Sequence, residues 1–171
     1  MSSRRGYRRR NYNNYVPRAI KYQFVPISIN ASFTNTNPVL KQVICPSSEV
    51  AGMRKVKNFN LQFVANLNQP FLWALVYVPD GASVTNINPE IINATTMPVN
   101  AGYTELFAAN QWVIGCGTFI EGAINTYKTR MSRNLNSGDT VWLMMFMNGS
   151  LAEGTGPVLV NCTGNYAIRY N

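Results

Sequence analysis

The sequence predicts an all-β fold: a single eight-stranded antiparallel jelly-roll sandwich carrying a disordered basic N-terminal arm. Three observations carry that expectation. Apolar residues recur at every second position in several runs, the period of a strand with one buried face. Helical periodicity is nearly absent along the chain, and clusters of Asn, Gly, Pro and Ser separate the apolar runs as turns do. With 171 residues, 46% of them hydrophobic, the chain can bury one core as one domain, and eight short strands without helices fit a two-sheet sandwich.

The first element is the arm, residues 1–18, which reads "MSSRRGYRRRNYNNYVPR". It holds Arg4, Arg5, Arg8, Arg9, Arg10 and Arg18, interleaved with Tyr7, Tyr12 and Tyr15, and has no acidic residue. So little apolar material cannot offset the entropy of ordering, so the arm is expected to stay disordered until it binds a partner. The whole chain has 15 Lys+Arg against 7 Asp+Glu, a net +8. Removing the six arm arginines leaves the body, residues 19–171, with 9 basic and 7 acidic residues, a net +2. Charge collected at one end marks a polyanion-binding element. Arginine forks match phosphate oxygens, and tyrosine faces stack on unpaired bases, so these nine arm residues are candidate contacts to single-stranded nucleic acid. A localisation signal or a solvated tail is the competing reading of "RRGYRRR". No apolar segment follows the charges as in a secretory leader, and no run reaches membrane-span length, so no membrane partner is expected.

The strands follow in order. Runs 21–34 and 38–45 are the first two. In 57–67, Phe59, Leu61, Phe63, Ala65 and Leu67 share one parity and Asn58, Asn60, Gln62 and Asn66 the other, which makes a half-buried strand. Ahead of it stand Arg54, Lys55 and Lys57, a second basic group that could line a nucleic-acid surface or form a solvated strand end. "FLWALVYV" (71–78) and "VWLMMFM" (141–147) are apolar on both parities, so both faces of each should be covered. The segment from Asp80 to Asn110 is too long for a tight turn and should be an elaborated loop, with one short helix near 104–109. Runs 112–120 and 126–133 are further strands. Within the second, Lys128 and Arg130 share a parity and, with Arg133, are open to phosphate contact or an intersubunit ion pair. The C-terminal run turns Val158, Val160, Cys162, Tyr166, Ile168 and Tyr170 one way. Of the large aromatics, Trp73, Tyr77, Trp112, Trp142 and Phe146 are divided between ordinary core and subunit interface.

Catalytic chemistry has little to work with. The chain has no histidine, so the commonest general base and metal ligand is missing, and no enzyme activity, metal or cofactor is expected. The two aspartates, Asp80 and Asp139, sit in turn contexts, and "GCG" (115–117) suggests a close-packed strand crossing. Cys45, Cys116 and Cys162 are odd in number and lack metal-ligand spacing, which reads as buried, reduced cysteine of an intracellular protein. Sequons begin at Asn30, Asn93, Asn148 and Asn161 and are taken as accidents of an Asn-rich chain.

"RKVKNFNLQF" (54–63), "WALVYVPDG" (73–81) and "TRMSRNLNSGDTVWLM" (129–144), in series behind an Arg-rich amino terminus, resemble the capsid proteins of small circular single-stranded DNA viruses, the circovirus-like group that encodes its own replication initiator. The similarity runs over residues 20–170. It implies a jelly-roll capsid domain and a T=1 icosahedral shell of sixty copies. It also implies an inward-pointing arm that binds the genome and doubles as a nuclear localisation signal, so the virion and the host nucleus are the expected locations. The chain is shorter than is usual in that group. Its size is similar to that of plant satellite virus capsid proteins, which wrap RNA, so single-stranded DNA is the implied cargo and RNA the alternative. No residue identifies a host receptor. The rival readings are a basic single-stranded nucleic-acid-binding protein that builds no shell, an extracellular sandwich of lectin or cytokine type, and an enzyme.

Overall fold

The computed structural model describes residues 21–49, 52–66, 70–84, 111–120, 125–147, 151–154 and 156–170. Nine strand segments and no helix occur among these: β1 (Gln23–Phe33), β2 (Val39–Cys45), β3 (Arg54–Ala65), β4 (Phe71–Val78), β5 (Trp112–Phe119), β6 (Thr126–Lys128), β7 (Ser132–Leu135), β8 (Thr140–Met147) and β9 (Val158–Tyr170). They form two antiparallel sheets. One has the order β1-β9-β3-β6, with β7 also paired to β3, and the other has the order β2-β8-β4-β5. The expected helix near 104–109 and most of the long connection that contains it lie outside the described residues.

The predicted strand 126–133 is two segments. β6 pairs with Asn60–Gln62 and β7 with Arg54–Lys57, so both line the same side of β3 with a break at residues 129–131 between them. The break faces an irregularity in β3 itself. Lys57 pairs with Ala167 and Asn60 with Asn165, so β3 carries one residue more than β9 across this interval. Asn58 there adopts φ 55°, a left-handed conformation that asparagine tolerates better than most residues. Gly164 lies against the Asn60 carbonyl on the partner strand, where a β-carbon would collide with backbone.

The interior between the sheets is aromatic. Phe71 stacks on Phe119 with centroids 4.5 Å apart, Phe63 on Trp73 at 5.2 Å, and Phe59 on Tyr166 at 5.5 Å. Burying each such ring stabilises the fold by roughly 1.5–3 kcal/mol. Ile27, Ile29, Ala31 and Phe33 of β1, and Val158, Val160 and Cys162 of β9, enter the same cluster at alternate positions, as their parity predicts. Tyr170, expected to continue that set, is exposed at the strand end.

β4 and β8 are buried on both faces, as their unbroken apolar runs require. Leu72, Ala74, Val76, Val78, Met144 and Phe146 form a second cluster on the far side of their sheet, flanked by Val39, Val113 and Trp142. That face is thus covered within the chain itself. Trp73, Tyr77 and Phe146 are core residues, Trp142 is half-buried, and only Trp112 of the five aromatics is exposed. The glycines of "GCG" make room for side chains and not for a strand crossing. A β-carbon on Gly117 would stand 2.9 Å from the Trp73 ring, and one on Gly115 would meet the Tyr127 hydroxyl. All three cysteines are free, and Cys45 and Cys162 are buried. Cys116, expected to be buried, is exposed because it alternates outward on the edge strand β5.

Candidate nucleic-acid interface

The five-stranded sheet contains no aspartate or glutamate in any of its strands, whereas it carries Arg54, Lys55, Lys57, Lys128, Arg133 and Arg169. The four-stranded sheet carries Lys41 alone. The near-neutral net charge of the body therefore conceals a segregation. Every described acidic residue (Glu49, Asp80, Asp139 and Glu153) lies between strands, and the cations concentrate in one sheet. Scanning the predicted strands for acidic residues exposes this asymmetry, while summing charge over the whole body hides it.

The extra residue in β3 decides which of these cations face outward. Before Asn58 the inward positions are Arg54 and Val56, and after it they are Phe59, Leu61 and Phe63. Lys55 and Lys57 consequently project from the outer face, and Arg54 does not. The arginine is buried, its Nη1 donating to the Pro46 carbonyl at 2.7 Å and its Nη2 to the Asp139 carbonyl at 2.9 Å. The three residues grouped in the sequence are thus separated: Arg54 ties the ends of β2 and β8 to β3, and Lys55 and Lys57 remain as surface candidates.

Arg169, which sequence reasoning did not single out, and Lys128, which it did, join them. Arg169 of β9 is the direct cross-strand partner of Lys55, and Lys128 of β6 that of Asn60. Tyr22, one residue before β1, completes the group. Lys57 Nζ lies 3.8 Å from the centre of its ring, and Arg169 Cζ lies 5.8 Å from it. Ala167, between these positions in the register, is buried although it belongs to the outward set of β9. Arg133 serves otherwise: it covers the rim of the sandwich, over the rings of Tyr77 at 4.6 Å and Trp112 at 5.4 Å. Arg130 is exposed in the break between β6 and β7.

The arm candidates Arg4, Arg5, Arg8, Arg9, Arg10, Arg18, Tyr7, Tyr12 and Tyr15 lie outside the described residues. The described chain enters β1 through Lys21 and Tyr22, and Gln23 pairs with Ile168, beside Arg169.

At the end of the sandwich near Arg54, Asp139 is buried and fully engaged. Its Oδ2 accepts from the Tyr77 hydroxyl at 2.8 Å and from the Asn136 amide at 2.7 Å, and its Oδ1 accepts from the Asp80 amide at 3.0 Å. Burial, reinforced by the hydrogen bond to Asp139 and by its negative charge, pushes the Tyr77 hydroxyl up to about 12. This is turn chemistry, as the aspartates' contexts predict. Among the described residues no group of three or more His, Cys, Asp or Glu could hold a metal ion.

No protein-family model and no curated protein matches the chain. Among solved structures, an aminopeptidase from the marine sediment archaeon Thaumarchaeota archaeon matches 88% of the chain at 8% identity, with a TM-score of 0.36. The match spans 33% of that longer enzyme, and a likeness so slight bears on neither fold nor activity.

Proposed function

We propose that the chain is a structural capsid protein: a jelly-roll subunit that self-assembles into a small icosahedral shell of sixty copies and packages single-stranded genomic nucleic acid. The observation that carries this reading is the continuity of charge. An arm with six arginines runs into a sheet that has no acidic residue, at the corner where Lys55, Lys57 and Arg169 project. Flexible and rigid cations then act on one strand, the arm following an irregular phosphate backbone while the sheet face offers fixed contacts.

The strand order supports the jelly-roll reading. With β6 and β7 taken as halves of one strand there are eight, and every connection crosses between sheets except β4 to β5. The resemblance in "WALVYVPDG" and its companion segments supports the viral reading, with single-stranded DNA as cargo and assembly in the host nucleus before release as virions. The absence of histidine favours a structural over a catalytic role.

Electron microscopy of the expressed protein, followed by typing of the nucleic acid that survives nuclease, tests the proposal. Uniform closed particles enclosing protected single strands are expected. A monomer or small oligomer that binds single strands without enclosing them would overturn the capsid reading in favour of a binding protein.

A further inference from the structure

We infer that Lys55, Lys57 and Arg169, the last two held over the Tyr22 ring, form a phosphate-binding site for the backbone of a single-stranded nucleic acid, and that filling it stabilises the pairing of β3 with β9. The inference rests on the reading above that this chain binds nucleic acid, and it adds a defined site and a coupling to fold stability.

The register supplies the first reason. Lys55 and Arg169 are directly opposite on adjacent antiparallel strands and on the same face. Such partners have β-carbons about 5 Å apart, a distance at which like charges oppose pairing. No acid in the sheet offsets them. A face needed only for its own contacts gains nothing from this arrangement, whereas an anion between the two cations turns the repulsion into attraction.

The second reason is orientation. The Tyr22 ring holds Lys57 Nζ at 3.8 Å and Arg169 Cζ at 5.8 Å, so one aromatic positions two of the three cations by cation–π attraction. The third is an unmet donor: Arg169 Nε is shielded from solvent and has no hydrogen-bond partner among the described residues. The guanidinium therefore lies over the ring with its Nε committed to no acceptor among the described residues. Lys55 and Lys57 lie two residues, about 7 Å, apart along β3, within reach of neighbouring phosphates on a flexible strand. Lys128 continues the row on β6.

The test is thermal unfolding of the full chain, stripped of nucleic acid, at fixed ionic strength with a twelve-residue oligothymidylate or with tripolyphosphate. The oligonucleotide is expected to raise Tm. A variant with all six arm arginines changed to glutamine keeps a rise, and K55Q/R169Q loses it and binds the oligonucleotide at least about tenfold more weakly. Without anion, K55Q and K55Q/R169Q melt at or above the wild-type temperature, since the like-charge pair is gone. Should the double variant fail to fold, K55Q alone must still diminish the rise. A rise unchanged in K55Q, or one abolished by the arm variant alone, overturns the site. A rise with tripolyphosphate and none with oligothymidylate overturns the nucleic-acid assignment. Particle size measured on the same samples separates the two readings: shells that form without a thermal response overturn only the site, and a response without shells overturns only the capsid proposal.

Discussion

Tyr77 and Asp139 meet inside the end of the sandwich, the phenol donating to the carboxylate at 2.8 Å. Through the same carboxylate the turn after β4 is tied to the turn before β8, because Asp139 also accepts from the Asp80 and Asn136 amides. Asp139→Ala leaves three donors without their acceptor, and the expected loss is about 3 kcal/mol of unfolding free energy. Asp139→Asn keeps part of the geometry and should lose about half of that. Urea unfolding at neutral pH measures both.

The same contact sets an alkaline limit. The ordinary phenol value is 10.0, and burial followed by Asp139 raises it to about 12 in the fold. Below pH 10 both folded and unfolded states keep the proton, so the contribution is complete. Between pH 10 and 12 the unfolded chain ionises first, and stability falls. Burial also pushes the Cys162 thiol up to about 12 and raises Cys45 and Tyr166, so the decline should begin near pH 9. Tyr77→Phe should make the decline above pH 10 shallower, as read from urea midpoints across that range.

Arg54 stands in the interior and donates to two carbonyls. Arg54→Leu is expected to destabilise the fold by about 2–4 kcal/mol, since both carbonyls lose a charged partner. The affinity of the folded protein for a single strand should be unchanged, which filter binding at matched fractions folded checks.

Gly164 faces the Asn60 carbonyl so closely that a methyl group has no room. Gly164→Ala should cost about 3 kcal/mol by forcing β9 from β3, whereas Gly156→Ala, where nothing crowds an added β-carbon, should move thermal unfolding far less. Comparing the two Tm values separates close approach from a general loss of glycine.

Deleting residues 2–18 should leave the thermal transition of the body in place and abolish nucleic-acid packaging. With six arm arginines on phosphates, the salt dependence of single-strand binding should have a slope roughly 4 units steeper for the intact chain than for the deletion. Titrations at several salt concentrations give that difference.

Strand placement was largely legible because alternation is a local property. The parity of Phe59, Leu61 and Phe63, and the two-sided burial of β4 and β8, follow from residue order alone. Arg54 was not legible, since the inserted residue at Asn58 inverts the parity of everything before it, and only pairing with β9 reveals the insertion. Arg169 escaped notice for a related reason: it lies far from Lys55 in the sequence and becomes its neighbour only through the register. The division of 126–133 into two strands likewise reflects the irregularity in the facing strand.

The left-handed residue Asn58 gives β3 a kind of memory held in its length. Loss of that one residue would straighten β3 into unbroken alternation with Val56 and Phe59 still inward and Lys55 and Lys57 still outward, whereas drawing the extra residue into the ladder without losing it would turn both lysines toward the aromatic interior and Val56 toward solvent. Among descendants of this sequence, loss of residue 58 should therefore be tolerated more readily than a further single-residue insertion beside it, because the sign of the surface is inherited through a count of residues as much as through their identity.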